Sequence, residues 1–416
     1  MSKRIAVIGA GIVGVSTAIW LQRAGHQVVL IDREGPAAGT SHGNAGLLAS
    51  CAVVPVTGPG LIRKAPGMVL SPRQPVFLKW RYLPRLAPWL VRFLSHANAA
   101  DTTRIAAGLT PIIGDSLADH QALAAGTGAE RFIVPCDYLF LYDRRKDYAA
   151  EAFGWDLRRQ NGFQWQEWGR DQITAFDPAL SPDLPFAARL ADHGRITDPG
   201  AYVQALADHV VQAGGEVVTG TVERIEAQAG QVTGLRVDGA VMPAEQVVVA
   251  SGIWSGPLAR QLGLRLPLES ERGYHLELWE PSVMPRAPVM ISSGKCVLTP
   301  MEGRLRIAGT VELGGLSAPP RRAVFDLLRQ AAVRALPGLR WSHEVEWMGH
   351  RPTLSDSLPV IGAAPGIKGA YLGFGHQHIG LTGGPKTGRL LAQMISGQRP
   401  NLDMAPYAPT RFWGAR

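Results

Sequence analysis

Residues 3–8 form a short apolar, β-branched run without alternation, the pattern of a strand buried on both faces. GAGIVG follows, and apolar residues then recur at helical spacing to about Ala24, with Gly25 as the cap. Residues 27–31 repeat the buried-strand pattern and end at Asp32, which completes one strand–helix–strand unit of the expected length. Residues 35–60 are rich in Gly, Ser and Pro and are expected as loop.

Further on the pattern changes type. Residues 100–128 read as a helix, and the alternating segments 131–142, 272–279 and 287–311 read as antiparallel strands. Residues 199–213 are helical, 222–238 form a hairpin turning near Gly230, and 247–252 are another buried strand. A helix over 321–336, a strand over 370–374 and a final helix over 380–396 complete the chain. The predicted class is α/β, with a nucleotide-binding domain in three pieces, 1–74, 196–262 and 345–416. An antiparallel domain of 75–195 and 263–344 is interleaved with it.

Composition narrows this picture. Apolar residues make up 46% and charged residues 18% of the 416, which supports a large core and excludes a disordered chain. The net charge of +8 raises the question of nucleic acid, but the basic residues are mostly Arg and scattered, so no nucleic-acid partner is expected. Cys51, Cys136 and Cys296 are far apart, which offers neither a metal site nor a disulfide framework. The start runs straight into a strand, with no signal peptide, and no apolar run reaches the roughly 18 residues that span a membrane. A cytoplasmic location is expected.

The glycines of GAGIVG stand at Gly9, Gly11 and Gly14. They suit a tight turn, a close approach of pyrophosphate to backbone, and close helix–strand packing, and Ile12 and Val13 share that helix N-terminus. Asp32 lies 18 residues beyond Gly14, at the end of the next strand, where it can accept ribose hydroxyls. Dinucleotide binding is expected.

Four motifs then occur in order: GTSHGNAG at 39–46, VVVASGIWS at 247–255, GHRPTLSDSLPVIG at 349–362 and GFGHQHIGLTGGPKTG at 373–388. From residue 4 to about 412 the chain resembles the D-amino-acid oxidase and dehydrogenase superfamily, nearest to the bacterial D-amino-acid dehydrogenases, with glycine and sarcosine oxidases as relatives. The resemblance implies a Rossmann-like FAD-binding domain of the glutathione-reductase type, an antiparallel substrate domain, and FAD as cofactor. FAD would meet Gly9, Gly11 and Gly14 at the pyrophosphate, and Asp32 and Arg33 at the adenosine ribose. Ser41, His42, Asn44, Ala45, Gly46 and Leu47 match the loop beside the flavin, Val222 the adenine contact, and Ser251, Gly252 and Trp254 the turn near the pyrophosphate. Gly349, Gly375, His376, His378 and Ile379 match the loops around the flavin, and Gly380, Leu381 and Thr382 the start of the last helix. That helix end would stabilise negative charge on the flavin; its glycines otherwise serve close packing. His42 is either a covalent flavin link or, the preferred reading, a loop histidine bonded to backbone.

The resemblance makes Arg351 of GHRP the carboxylate anchor, through a two-pronged guanidinium contact; the alternative is an ion pair with Asp356. His378 occupies the place of a second arginine in glycine oxidase and, with His376 and Gln377, would shape the pocket. In ERGYHLEL at 271–278, alternation sends only one of Tyr274 and His275 inward, and Tyr274 is preferred as a donor to the carboxylate. Arg272 is read as structural, Glu312 as a salt-bridge partner, and Tyr138 and Tyr142 as core more than pocket.

The expected activity is oxidation of the Cα–N bond of a small amino acid, a D-amino acid by resemblance. GHQHIGLT and the PYAPTRF tail at 406–412 resemble D-proline and D-hydroxyproline dehydrogenases. Electrons would pass to a quinone or another acceptor. The alternatives are a glycine- or sarcosine-type oxidase using oxygen, and a non-catalytic FAD-binding subunit of a larger complex. No metal is expected. Residues 75–95 mix Trp80, Trp89 and Phe93 with arginines and have two readings: peripheral contact with the inner face of the cytoplasmic membrane, or, preferred, helices packed on the core. Pro84 and Pro88 are expected to break any long helix there.

Overall fold

The computed structural model describes residues 2–63 and 76–413. Two sheets organise it. The first runs, edge to edge, through Val360–Ala363, Ala370–Phe374, Gln246–Val249, Arg4–Ile8, Gln27–Asp32 and Glu216–Thr219. All its pairings are parallel except the one between Val360–Ala363 and Ala370–Phe374. Parallel strands are covered on both faces, which explains their unbroken apolar runs. One face packs against the helices Ile12–Arg23, Pro199–Gln212 and Gly380–Ile395. The other is covered by the three-stranded sheet of Val222–Gln228, Gln231–Val237 and Ala240–Pro243, through Ile225, Val232, Leu235 and Val237. The Ala229–Gly230 turn has positive φ at both residues, which closes the predicted hairpin.

The second sheet has ten strands. Its main path runs through His343–Leu354, Leu268–Trp279, Arg304–Leu313, Cys296–Met301, Val289–Ile291, Ile133–Tyr142, Phe186–Ile196 and Leu47–Leu48. Val76–Leu78 and Gln166–Trp168 pair at its sides. The helix Arg322–Ala335 covers one face, burying Val324, Phe325 and Leu328 against Tyr274, Leu276 and Leu278. The opposite face looks toward the first sheet.

The layers depart from the expected boundaries in three places. Residues 345–354 belong to the second sheet, because His343–Leu354 pairs residue for residue with Leu268–Trp279. The helices Ala99–Ile113 and Ser116–Ala124 share a core with Ile12–Arg23, through Ile105, Leu109, Ile112 and Leu123. Leu47–Leu48, expected as loop, pairs with Gly194 and Arg195. Periodicity reports that a face is buried but not against what. The boundary at 74/75 lies outside the described residues, as does Pro75 of the 75–95 stretch.

Pro84 and Pro88 do not break the helix Leu83–Ser95. Pro84 stands in the first turn, where an N–H has no intrahelical partner, and Pro88 removes only the bond to the carbonyl of residue 84. Leu86, Trp89 and Phe93 are buried, with the two rings stacked at 4.6 Å and Trp89 Nε1 donating to the Pro267 carbonyl (3.0 Å). Trp80 and Val91 stay exposed. Among the described residues no helix is long and apolar enough to cross a membrane.

Candidate active site

The strand Arg4–Ile8 ends in a turn that only glycine satisfies. Gly9 has φ +105°, and a Cβ on it would stand 2.6 Å from the Ala250 carbonyl oxygen. Gly11 is the N-cap of Ile12–Arg23 and brings no capping side chain. Ser41 Oγ accepts from the Ile12 N–H (2.9 Å) instead. The first turn carries no acidic residue, so its remaining N–H groups and positive end are open to an anion. Asp32 Oδ2 accepts from Ala10 N–H (2.8 Å) and Oδ1 from Glu34 N–H (3.0 Å). These bonds fix the carboxylate and leave lone pairs for a ribose hydroxyl. The Arg33 guanidinium lies 4.1 Å over the Trp254 ring.

From this edge one cavity of about 1070 Å³ extends between the two sheets. That exceeds the usual small-ligand range and has room for a dinucleotide together with a substrate. Gly9, Gly11, Ile12, Val13, Asp32, Arg33, Ser41 and Val222 line the dinucleotide end. Asn44, Ala45, Leu47, Ser251, Gly252, Trp254 and Gly349 line it further along, with Arg351, His376, His378, Ile379, Gly380, Leu381 and Thr382. The residues present therefore fit FAD: a turn without side chains, an anion-seeking helix end and a fixed ribose acceptor.

Five predicted site residues lie elsewhere. Gly14 is packed on the strand, where a Cβ would come within 1.8 Å of the Gly9 carbonyl; it serves helix–strand contact alone. Gly46 and Gly375 hold their loops with φ +73° and +90°, against Ile196 and Leu354. His42 sits in a separate small pocket beside Gly200, which directs its ring away from the cavity. Tyr274 faces the helix Arg322–Ala335. Its hydroxyl donates to Glu312 Oε2 (2.5 Å) and accepts from Arg321 N–H (3.1 Å), and burial raises its pKa. The cavity face of that strand belongs to Gly273, and His275 beyond it bonds the Gly43 carbonyl (3.0 Å). Glu312 also pairs with Arg272 (2.8 Å) and Lys79 (3.5 Å), all within the core side of the sheet. Of the two tyrosines read as core, Tyr138 is buried but reaches the cavity wall, and Tyr142 bonds Glu151 and Trp155.

Arg351 lies on the cavity floor. A Cβ at Gly273 would stand 2.3 Å from its Cζ, so that glycine makes its place. Nη1 donates to the Thr310 carbonyl (2.8 Å) and Nη2 to Gly309 (3.5 Å). Thr310 has φ +60° at an irregularity between Leu268–Trp279 and Arg304–Leu313, and this re-aims the carbonyl toward Arg351. Asp356, the alternative partner, is bound by Arg411 (2.7 Å). Burial draws the Arg351 pKa down and Glu271 opposes this, yet the group stays a cation. His378 is exposed and lines the cavity, and desolvation, then Arg351, holds its pKa down to about 4. His376 is buried at the cavity wall and bonds Thr387 Oγ1 (2.9 Å), anchoring the loop.

Three contributors were not read from the sequence. Trp347, two residues before Gly349, stacks on His275 (5.0 Å), and Cβ atoms at Gly43 or Gly349 would overlap its ring; strand alternation back from Arg351 could have found it. Thr310 lies beside Glu312 without any pattern to mark it. Arg306 supports the 42–46 loop from below, donating to the carbonyls of His42 (2.9 Å) and Asn44 (2.5 Å) while paired with Glu277 (2.5 Å).

A glycine turn at a parallel sheet edge, opening on a cavity shared with a second sheet, defines a dinucleotide-dependent oxidoreductase architecture. The FAD dependent oxidoreductase family model, DAO, matches residues 4–394, and the chain belongs to that family, with FAD as its cofactor. The D-amino-acid oxidase of Bradyrhizobium diazoefficiens is 36% identical over 417 residues, covering 99% of both chains. The D-amino acid dehydrogenase of Rhizobium rhizogenes is 29% identical over 420 residues, covering 98% of this chain and 100% of that one. The glycine oxidase of Geobacillus kaustophilus has the same fold, with a TM-score of 0.75 at 22% identity over 99% of each chain.

Proposed function

We propose that this enzyme oxidises the Cα–N bond of a D-amino acid, Arg351 binding the substrate carboxylate. The observation that carries the reading is Arg351 itself, a cavity-lining cation whose bonds go to two main-chain carbonyls. Its outer N–H groups form a fork suited to a carboxylate. The names of the two relatives, an oxidase and a dehydrogenase of D-amino acids, support the substrate class.

FAD supplies the two-electron acceptor. The chain's part is placement. Thr310 and Gly309 orient the guanidinium, which fixes the carboxylate and so limits where Cα can lie. His378 is neutral above about pH 4 and can accept a hydrogen bond from the substrate amine. The first turn of Gly380–Ile395 opens on the cavity with no acidic residue, and favours negative charge as FAD accepts electrons. The imine released is hydrolysed by water to an oxo acid. The electrons then pass to a quinone or another acceptor. Along 76–95 the buried Leu86, Trp89 and Phe93 pack the helix on the fold; a peripheral membrane contact there would rest on exposed Trp80 and Val91 with the neighbouring arginines.

The test is anaerobic bleaching of bound-flavin absorbance by a panel of D- and L-amino acids, with proline isomers, glycine and sarcosine included. Bleaching by D-amino acids is expected. A flavin that stays yellow with every D-amino acid overturns the reading. Readmitting air then separates oxidase from dehydrogenase.

A further inference from the structure

The cavity face of the second sheet carries an unbroken row of opposed residues. Trp347 stands opposite His275, His275 opposite Ala308, and Ala308 opposite Val297. Val297 stands opposite Met290, and Met290 opposite Phe140. Opposed residues share a face, and adjacent strands lie about 4.8 Å apart. The row is therefore a ruler laid across the strands.

Its origin is Arg351, which bonds Thr310, two residues from Ala308 on the same strand. Counting strands outward from Ala308 places Val297 about 5 Å away, Met290 about 10 Å and Phe140 about 14 Å, with the Thr310 carbonyl that holds Arg351 offset by two residues, about 7 Å, along the strand. All three line the cavity. Val297 and Phe140 are buried, Met290 is half-buried, and its neighbours Val289 and Ile291 point into the opposite core. Tyr138 lies beside Phe140, ring to ring at 4.7 Å. Of the charges near the far end, Lys295 is paired with Glu151, whereas Arg158 bonds the carbonyls of Cys51 and Gly154 and lines the cavity as a cation. Arg158 lies 5.1 Å over the Phe140 ring.

We propose that Val297, Met290 and Phe140 set the length and polarity of the substrate side chain. The site then takes amino acids with extended apolar side chains, of the leucine, methionine or phenylalanine kind. Glycine and alanine leave the shelf bare, and a chain ending in a positive charge meets an apolar floor beside the Arg158 cation. This rests on Arg351 holding the carboxylate, as proposed above. Each methylene laid on the shelf should tighten binding about fourfold.

The experiment uses the FAD-loaded enzyme and unreactive carboxylates, from acetate to hexanoate plus 3-phenylpropionate, with affinity read from the change in bound-flavin absorbance. Affinity should climb about fourfold per carbon and then level off. A flat series overturns the ruler. In Met290→Trp the hexanoate-to-acetate affinity ratio should drop at least tenfold; an unchanged ratio overturns it. If that variant holds no flavin, Met290→Ala should move the levelling point to a longer chain, and an unmoved point overturns it. D-Alanine and D-phenylalanine bleaching separates the two readings. Bleaching with a flat carboxylate series removes the ruler alone. A climbing series without bleaching by any D-amino acid keeps the ruler and removes the oxidation.

Discussion

At the scale of single residues, the site depends on what two positions lack and one supplies. Gly9→Ala adds a Cβ at φ +105° and within 2.6 Å of the Ala250 backbone, so loss of bound FAD is expected, read as colourless purified protein. Arg351→Met should lower kcat/KM by about 30-fold to several-thousand-fold, the range for removing one partner of a buried charged contact; kinetics within threefold of the parent would remove Arg351 from carboxylate binding. His378 has its pKa near 4, so it should add no step to the pH profile of kcat/KM between 5.5 and 8. His378→Asn should keep the profile's shape whatever it does to the magnitude. A step near 6.5 that vanishes in the variant would show that protonated His378 takes part. Arg351 was legible because its motif is local. Tyr274 was not, because alternation gives a parity and not a direction: the same strand presents Gly273 to the cavity and Tyr274 to the core.

At the scale of elements, the sheet holds the flavin-side loop from beneath. Glu277 bridges Arg304 and Arg306, Arg304 reaches Asp198 (2.9 Å), and Arg306 ends on the carbonyls of His42 and Asn44. Removing one member leaves Glu277 short of a buried partner. Arg306→Met should therefore destabilise the fold by about 3–5 kcal/mol and release FAD at lower temperature. Calorimetry with flavin fluorescence checks this; an unchanged Tm with unchanged flavin release would show that the loop stands without the clamp. None of this network follows from local sequence. Its members lie on strands far apart in the chain, and isolated charges on strands read as surface.

For the whole molecule, acid is the revealing variable. Burial holds the pKa of His120 and His376 down to about 4 and that of His275 to about 3. His120 Nε2–H donates to the Leu381 carbonyl while Nδ1 accepts from Tyr202, which keeps the ring neutral between two layers. The unfolded chain takes up these protons below about pH 6.5, and the folded chain does not until about pH 4. Stability from these residues is thus complete above about 6.5 and falls as pH drops toward 4, by about 1.4 kcal/mol per pH unit for each histidine at most. Denaturant unfolding at pH 7.5, 6 and 5 measures the slope. His120→Asn should reduce it by one proton, and an unaltered slope would show that His120 is charged in the native state.

The sequence by itself determined the parts whose physics is local. These are the buried-strand runs, the glycine turn with its helix and Asp32, the hairpin at Gly230, and the motifs carrying the family. Each needs only neighbours along the chain. The tertiary structure decided which layer each element joins, which face of Leu268–Trp279 meets the cavity, and that Gly273 and Thr310 seat Arg351. It also decided that the row from Ala308 to Phe140 is continuous. Those features depend on strand register across long separations, and register is set by the packing of both sheets together.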